Sequence, residues 1–193
     1  MAAQKNSKAP KKQGPDWRWI FTIFFITVLI SAVMSLISTN LLSSATLGVS
    51  FVILICIIAI GIVFDIIGVA VTAADEKPFH SMASRKVPEA GEALKLIRNA
   101  GRVSSFCNDV IGDICGVISG SASAVIAARA VLGMESTKAT IVTLGMSALV
   151  AAVTVGGKAV GKTFAMGGSV QVVRTTAKVI CFFRTIFQNK RRK

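Results

Sequence analysis

The stretch SFVILICIIAIGIVFDIIGVAVTAA, from Ser50 to Ala74, decides the fold, and Asp65 is its one charged residue. A helix needs roughly 20 apolar residues to cross a hydrocarbon core about 30 Å thick, and this stretch meets that length. Apolar stretches at 17–37, 108–130 and 140–157 repeat the pattern, although the last, rich in Gly and Ala, meets the length narrowly. The sequence therefore predicts an all-α integral membrane protein with four transmembrane helices.

Carboxylates lie inside two of the predicted spans, Asp65 in the second and both Asp109 and Asp113 in the third. A carboxylate at bilayer depth is costly unless it faces a partner, an ion or water. We therefore expect a polar site in the interior of the helix bundle. The composition agrees, because 53% hydrophobic and 16% charged residues lie outside the usual range of soluble domains.

The net charge of +13 is clustered in segments that flank the predicted spans. Lys and Arg concentrate in 1–18, 75–107 and 158–193. By the positive-inside rule both termini and the central connection are cytoplasmic, and we expect a multi-pass protein of the plasma membrane. The tails at 1–16 and 188–193 are expected to touch anionic lipid, and nucleic acid is not an expected partner.

The first apolar stretch also has the outline of a secretory signal, because a basic segment precedes it. It is longer than the usual signal core of about 7 to 15 residues, and Trp17 and Trp19 lie where an interfacial belt holds a span. An additional, uncleaved N-terminal helix over 17–37 is favoured.

Two segments outside the spans are amphipathic. The connection 78–107 predicts a hairpin of two short cytoplasmic helices, with Pro78 and Pro88 in their first turns and Gly101 ending the second. The segment 169–187 interleaves apolar residues with Arg and Lys and predicts a juxtamembrane helix on the inner leaflet. A fifth span is disfavoured there, since charges recur through its middle.

Small residues form a row on the third predicted span, where Gly112, Gly116 and Gly120 are spaced four apart. Such a row lets helix backbones approach closely, either at a homodimer seam or inside one protomer, and both interpretations stay open. Asp109 and Asp113 are also four apart, and oxygen ligands beside an open backbone suit a hard cation. No catalytic triad, phosphate-cradling loop or metal-binding His cluster occurs in the sequence, so an enzyme is not expected.

The residues 50–168 resemble the transmembrane domain of the CorC and cyclin M magnesium and cobalt transport proteins, and the likeness extends through the helix at 169–187. The segments that carry the resemblance are FDIIGVAV at 64–71, ALKLIRN at 93–99 leading to IGD at 111–113, and GKAVGKTFA at 157–165. They stand where the family has FSxxExAL, its cytoplasmic hairpin leading into IGN, and GExxPKTxA. The family's cystathionine-beta-synthase-type regulatory pair is not expected, because the chain ends shortly after Phe187.

The resemblance implies a stand-alone ion-transport domain that carries Mg²⁺ or a similar cation. The hypothetical cation site is built on Asp65, Asn108, Asp109 and Asp113. Lys158 departs from the family, which has a glutamate there, and an ammonium group repels a divalent ion or pairs with a nearby carboxylate. Alternatively, Lys158 snorkels to the interface and frees the carboxylates. The second function that the sequence allows is a non-transporting membrane scaffold, whose basic interfacial helices recruit a partner protein or anionic lipid.

Overall fold

The computed structural model describes residues 17–190, with side chains up to residue 186, and within this range it contains helices and no strands. The predicted tail at 1–16 and the last three residues lie outside the described residues. The helices are α1 (Trp17–Ser44), α2 (Leu47–Ala73), α3 (Lys77–Ser84), α4 (Pro88–Arg98), α5 (Ala100–Ala130), α6 (Ser136–Gly167) and α7 (Ser169–Lys190). The predicted all-α class is confirmed.

Four of these helices, α1, α2, α5 and α6, are long and apolar enough to cross a membrane. Their bounds extend beyond the apolar stretches. At the end of α1, the Ser43 and Ser44 hydroxyls donate to the Asn40 carbonyl at 2.9 and 3.0 Å, so the helix continues through a polar segment. A helix of spanning length is present at each of the four predicted stretches, and each helix begins or ends outside the predicted apolar residues.

The prediction that Gly101 ends the second short helix is wrong. That helix, α4, ends before Asn99, whose side-chain amide donates to the Lys95 carbonyl at 2.9 Å. A new helix begins at Ala100, so Gly101 lies in the first turn of α5. The predicted hairpin segment 78–107 therefore contains α3, α4 and the beginning of α5.

The centre of the bundle is α2, which packs against α5, α6 and α7. Two apolar clusters fill the spanning part, one around Leu54, Ile58 and Ile126 and the other around Ile57, Val110 and Ile118. The outward faces of α1 and α6 expose large apolar side chains instead. A contiguous apolar exterior of this kind is expected for helices that face lipid.

A third apolar cluster joins the end of α2 to the short helices. Phe79 of α3, Ala93 of α4 and Val173 of α7 are fully buried against Val71 of α2. Pro78 and Pro88 lie in the first turns of α3 and α4, where a missing N–H costs nothing. This cluster fixes α7 across the bundle end that carries α3 and α4.

Arg129 holds the opposite end of the bundle together. Its guanidinium donates to the carbonyls of Leu42 at 2.7 Å and Ala45 at 3.3 Å. These carbonyls lie at and just beyond the C-terminus of α1, where unpaired acceptors and the helix dipole favour a cation. The end of α5 is thereby tied to the end of α1.

Candidate functional site

An ion pair lies between the spans at the Asp65 position. The Lys158 ammonium on α6 is 3.5 Å from the Asp65 Oδ2 on α2, and it also donates to the Gly112 carbonyl of α5 at 3.4 Å. The Asp65 side chain is only 6% exposed and that of Lys158 is 23% exposed. The pairing of Lys158 with a carboxylate, one of the alternatives that the sequence left open, is present and joins three helices.

Small residues allow α2 and α5 to approach closely around this pair. A Cβ added at Gly112 would lie 2.8 Å from Asp65 Oδ1, and one added at Gly68 would overlap the Asn108 side chain. Gly61, one turn from Asp65 on the same face, faces Cys115 in the same way, with 2.9 Å to its Cβ. The face of α2 formed by Gly61, Asp65 and Gly68 therefore matches the one on α5 that carries Asn108 and Gly112.

Asn108 brings an unsatisfied oxygen close to this pair. Its amide nitrogen donates to Ser104 Oγ at 3.2 Å, whereas its Oδ1 is buried and has no hydrogen-bond partner among residues 17–190. A buried acceptor without a partner costs about 1–3 kcal/mol, so such an atom calls for a functional explanation. Asn108 contacts Gly68, and Gly68 lies about one helical turn from Asp65 on α2.

The backbone of α5 is irregular at this point. The segment Phe106–Gly112 is π-helical, and it contains Asn108 and ends at the glycine that contacts Asp65. Short π-helical turns inside α-helices occur frequently at functional sites. No feature of the sequence predicted this turn.

The other two predicted ligands point away from the ion pair. Asp109 and Asp113 are exposed on the outside of α5, while Gly112 between them is buried. Neighbouring residues of a helix are about 100° apart around its axis, so a face that turns Asn108 and Gly112 inward turns Asp109 and Asp113 aside. Within the described residues, no group of three or more His, Cys, Asp and Glu side chains lies close enough to hold a metal ion. The structure thus pairs Asp65 with Lys158, places Asn108 about one helical turn away against Gly68, and leaves Asp109 and Asp113 exposed on other faces of α5.

The predicted glycine row has two different environments. Gly112 makes the tight contact with Asp65, whereas a Cβ at Gly116 or Gly120 would meet nothing within 4 Å. Both of the latter glycines line a cleft of about 180 Å³ between α5 and α6. Other glycines make the close crossing between α2 and α6: Cβ atoms at Gly157 and Gly161 would overlap or crowd Ile62 and Ile66. The four-residue spacing of Gly157 and Gly161 was a signal available in the sequence.

Charged contacts also join α4 to α7, outside the spanning helices. Glu89 accepts from Arg174 at 3.4 Å, and Glu92 pairs with Lys95 at 2.9 Å and with Arg184. A backbone hydrogen bond and the Arg174 side chain lower the pKa of Glu89 below its ordinary value. A hydrogen bond from Lys95, with the charges of Lys95 and Arg184, lowers the pKa of Glu92. Both carboxylates are therefore held ionised at neutral pH.

The fold and site together define a class: a helical protein with four candidate membrane spans and an ion-paired carboxylate buried between three of them. No protein-family model matches the chain, and neither a curated protein nor a solved structure matches it. The resemblance to the CorC and cyclin M proteins therefore stays a prediction from the residues quoted above.

Proposed function

We propose that this chain is a multi-pass membrane protein that transports a small hard cation, with Mg²⁺ as the first candidate, through a site centred on Asp65. One observation carries the proposal: a buried carboxylate with the Lys158 ammonium against it, at a helix contact whose next turn holds the unpartnered Asn108 Oδ1. Carboxylate, amide and backbone carbonyl oxygens are the ligands that Mg²⁺ and Ca²⁺ use in proteins. Asp65, Asn108 and the Gly112 carbonyl supply one of each.

Lys158 has a defined role in this proposal, because its ammonium lies where a cation would bind. An incoming cation competes with the ammonium for Asp65, and the long Lys158 side chain then withdraws toward the interface. Since Lys158 belongs to α6 and Asp65 to α2, the exchange breaks a link between two spans and remakes it when the cation leaves. Binding is thus coupled to the relative position of α6.

The orientation with both termini in the cytoplasm rests on the concentration of Lys and Arg in 1–18, 75–107 and 158–193, and two arginines mark where α5 would cross the bilayer. Arg102 lies over the Trp19 ring at 5.1 Å, a pair suited to an interface, and Arg129 lies at the other end of α5. At 1.5 Å per residue these arginines are about 40 Å apart along the helix, close to the full thickness of a bilayer. Gly112 then lies about 15 Å from Arg102, inside the hydrocarbon region.

The helices α3, α4 and α7 would then lie on the cytoplasmic side of the plasma membrane. The C-terminal half of α7 exposes Phe182, Phe183 and Ile186, which suits contact with the inner leaflet beside anionic lipid headgroups. A homodimer stays a prediction, and Gly112 of the predicted glycine row contacts Asp65 within the protomer.

The experiment is Mg²⁺ flux in liposomes that carry the purified protein, measured under gradients of either direction. Asp65→Asn should abolish the flux, because it removes the carboxylate charge of the proposed site. Asp75→Asn, which alters an exposed carboxylate just beyond α2, is the matched control and should keep it. Flux that survives Asp65→Asn, or no flux from folded wild-type protein, would contradict the proposal.

A non-transporting scaffold is the second candidate, and the Asp65–Lys158 pair favours it because each charge already has a partner. In that case the pair links the spans, and α7, tied to α4 through Glu89 and Glu92, presents its basic and aromatic side chains to a partner protein or lipid. The two functions differ in their response to removing both charges together: a scaffold tolerates it, whereas a transporter loses its activity.

A further inference from the structure

The cleft between α5 and α6 is lined by hydroxyl groups. Four residues contribute these hydroxyls: Ser119 and Ser123 of α5, and Ser147 and Thr154 of α6. Gly116 and Gly120 of α5 line the same cleft. Ser119 and Ser123 are four residues apart and therefore lie on one face of α5. Val150, Ala151 and Val155 complete the lining, and the Ser119 and Thr154 hydroxyls donate to carbonyls of their own helices, so the cleft is an apolar one with several hydroxyls set into it.

The Ser123 hydroxyl in this cleft lacks a hydrogen-bond partner from the described residues. The Ser123 side chain is 1% exposed. A buried hydroxyl without a partner is unfavourable, more so when the surroundings are apolar. The volume of about 180 Å³ has room for about six water molecules at ~30 Å³ each.

The cleft leads toward the Asp65–Lys158 pair. Gly116 lies one turn from Gly112 on α5, and Thr154 lies one turn from Lys158 on α6. Lys158 and Gly112 are themselves in contact through the 3.4 Å hydrogen bond. The inner end of the cleft is thus about one helical turn from the buried ion pair, and its other residues extend toward the bundle end that holds Arg129.

We propose that this cleft is a hydrated vestibule, which holds water against Ser123 and admits small hydrated cations from the Arg129 end toward Asp65. Neutral hydroxyls stabilise a cation and its water without trapping it, in contrast to a carboxylate. The assignment of the cleft as a cation route rests on the proposed transport function, whereas its hydration does not. The two parts are therefore tested separately.

Hydration is tested by cysteine labelling in liposomes. The four native cysteines are replaced by alanine or serine, and Ser123→Cys and Ser147→Cys are introduced one at a time. A positively charged, membrane-impermeant methanethiosulfonate reacts with thiolates, which form in water and not in lipid. Val117→Cys on α5 and Val153→Cys on α6 are matched controls, since both positions are exposed on neighbouring faces outside the cleft.

The vestibule predicts that both cleft cysteines react at least ten times faster than the controls. Equal, slow reaction at all four positions would overturn it. Ser147 lies on the exposed wall, so this variant keeps the test valid if Ser123→Cys disturbs folding. In the second part, labelled Ser147→Cys should lose Mg²⁺ flux. If Ser147→Cys is labelled fast and its Mg²⁺ flux is unchanged, the cleft is hydrated but is not the cation route. If the unlabelled protein shows no Mg²⁺ flux, transport is refuted and the hydration of the cleft is not.

Discussion

Removing Lys158 should destabilise the bundle strongly, because it strands the buried Asp65 carboxylate. At the observed 3.5 Å and an effective dielectric of about 20, the attraction within the pair is ~5 kcal/mol before desolvation is subtracted. Loss of one partner of a buried pair typically costs about 3–5 kcal/mol. Lys158→Met is expected to cost about 3 kcal/mol or more on this basis.

Asp65→Asn should cost less, about 1–2 kcal/mol, because the remaining Lys158 side chain can extend toward the interface. The observed exposures, 23% for Lys158 and 6% for Asp65, give the physical reason for this asymmetry. The double variant leaves no buried charge, so its stability should return to within about 1 kcal/mol of the wild type. The single effects sum to about 4–5 kcal/mol and the double variant costs about 0–1, so the coupling energy of the cycle is about 3–5 kcal/mol.

The assay is reversible unfolding by sodium dodecyl sulfate in mixed micelles, followed by tryptophan fluorescence. Trp19 packs under Arg102, so its emission reports the separation of α1 from α5. Lys162→Met, one turn away at an exposed position, is the control and should change the free energy of unfolding by less than about 0.5 kcal/mol. Single variants whose effects simply add, with coupling below about 0.5 kcal/mol, would refute the role of the pair.

Three further predictions follow from local geometry. Gly68→Ala places a methyl group on the Asn108 amide and should lower the free energy of unfolding by about 2 kcal/mol, whereas Gly116→Ala, in open space within a helix, should leave it unchanged or raise it by up to about 1 kcal/mol in the same assay. Equal effects would contradict the tight crossing. Lys86, at φ 57° in the turn after α3, should gain about 1 kcal/mol on replacement by Gly, seen as a higher melting temperature; a loss would show that its side chain matters more than its backbone. The contact of α4 with α7 should be constant from neutral pH down to the ordinary glutamate pKa of 4.5 and should weaken at lower pH. The pKa of Glu89 is lowered in the folded state, so the stabilisation that Glu89 contributes is lost only when the folded-state carboxylate becomes protonated. Spin-label distances between α4 and α7 measure this, and loosening at pH 6 would exclude it.

The four spans could be predicted from the sequence because long apolar runs leave few alternatives to a membrane helix. The Asp65–Lys158 pair could also be anticipated from the sequence, since a lysine near a carboxylate inside a membrane has few better partners. Helix ends were harder: α1 and α6 continue through serine, threonine and glycine residues that propensity alone would have excluded. The serine and threonine residues continue these helices because their hydroxyls bond to carbonyls of the preceding turn.

The residues that face the Asp65–Lys158 contact could be predicted only in part, because the sequence did not decide which face of α5 turns inward. Asn108 with Gly112, and Asp109 with Asp113, are two adjacent faces with equally polar content. Contact with α2 selects between them: Gly112 leaves room for the Asp65 carboxylate, and a side chain as large as that of Asp113 would fill that space. The glycines of α2 and α5 taken together identify the inward face of α5, whereas the carboxylates of α5 alone do not.

The π-helical turn divides α5 into two α-helical segments. A π-helical turn contains more residues per turn than an α-helix, so the segments before and after Phe106–Gly112 do not share one continuous α-helical phase. The first segment is positioned by α2 and the second by α1, α2 and α6. A swivel at this joint, which lies at Asn108 and Gly112, would change the side chains facing Lys158 while each segment keeps its own packing. A replacement of Asn108 or Gly112 therefore changes the π-helical joint of α5 as well as the contact with α2.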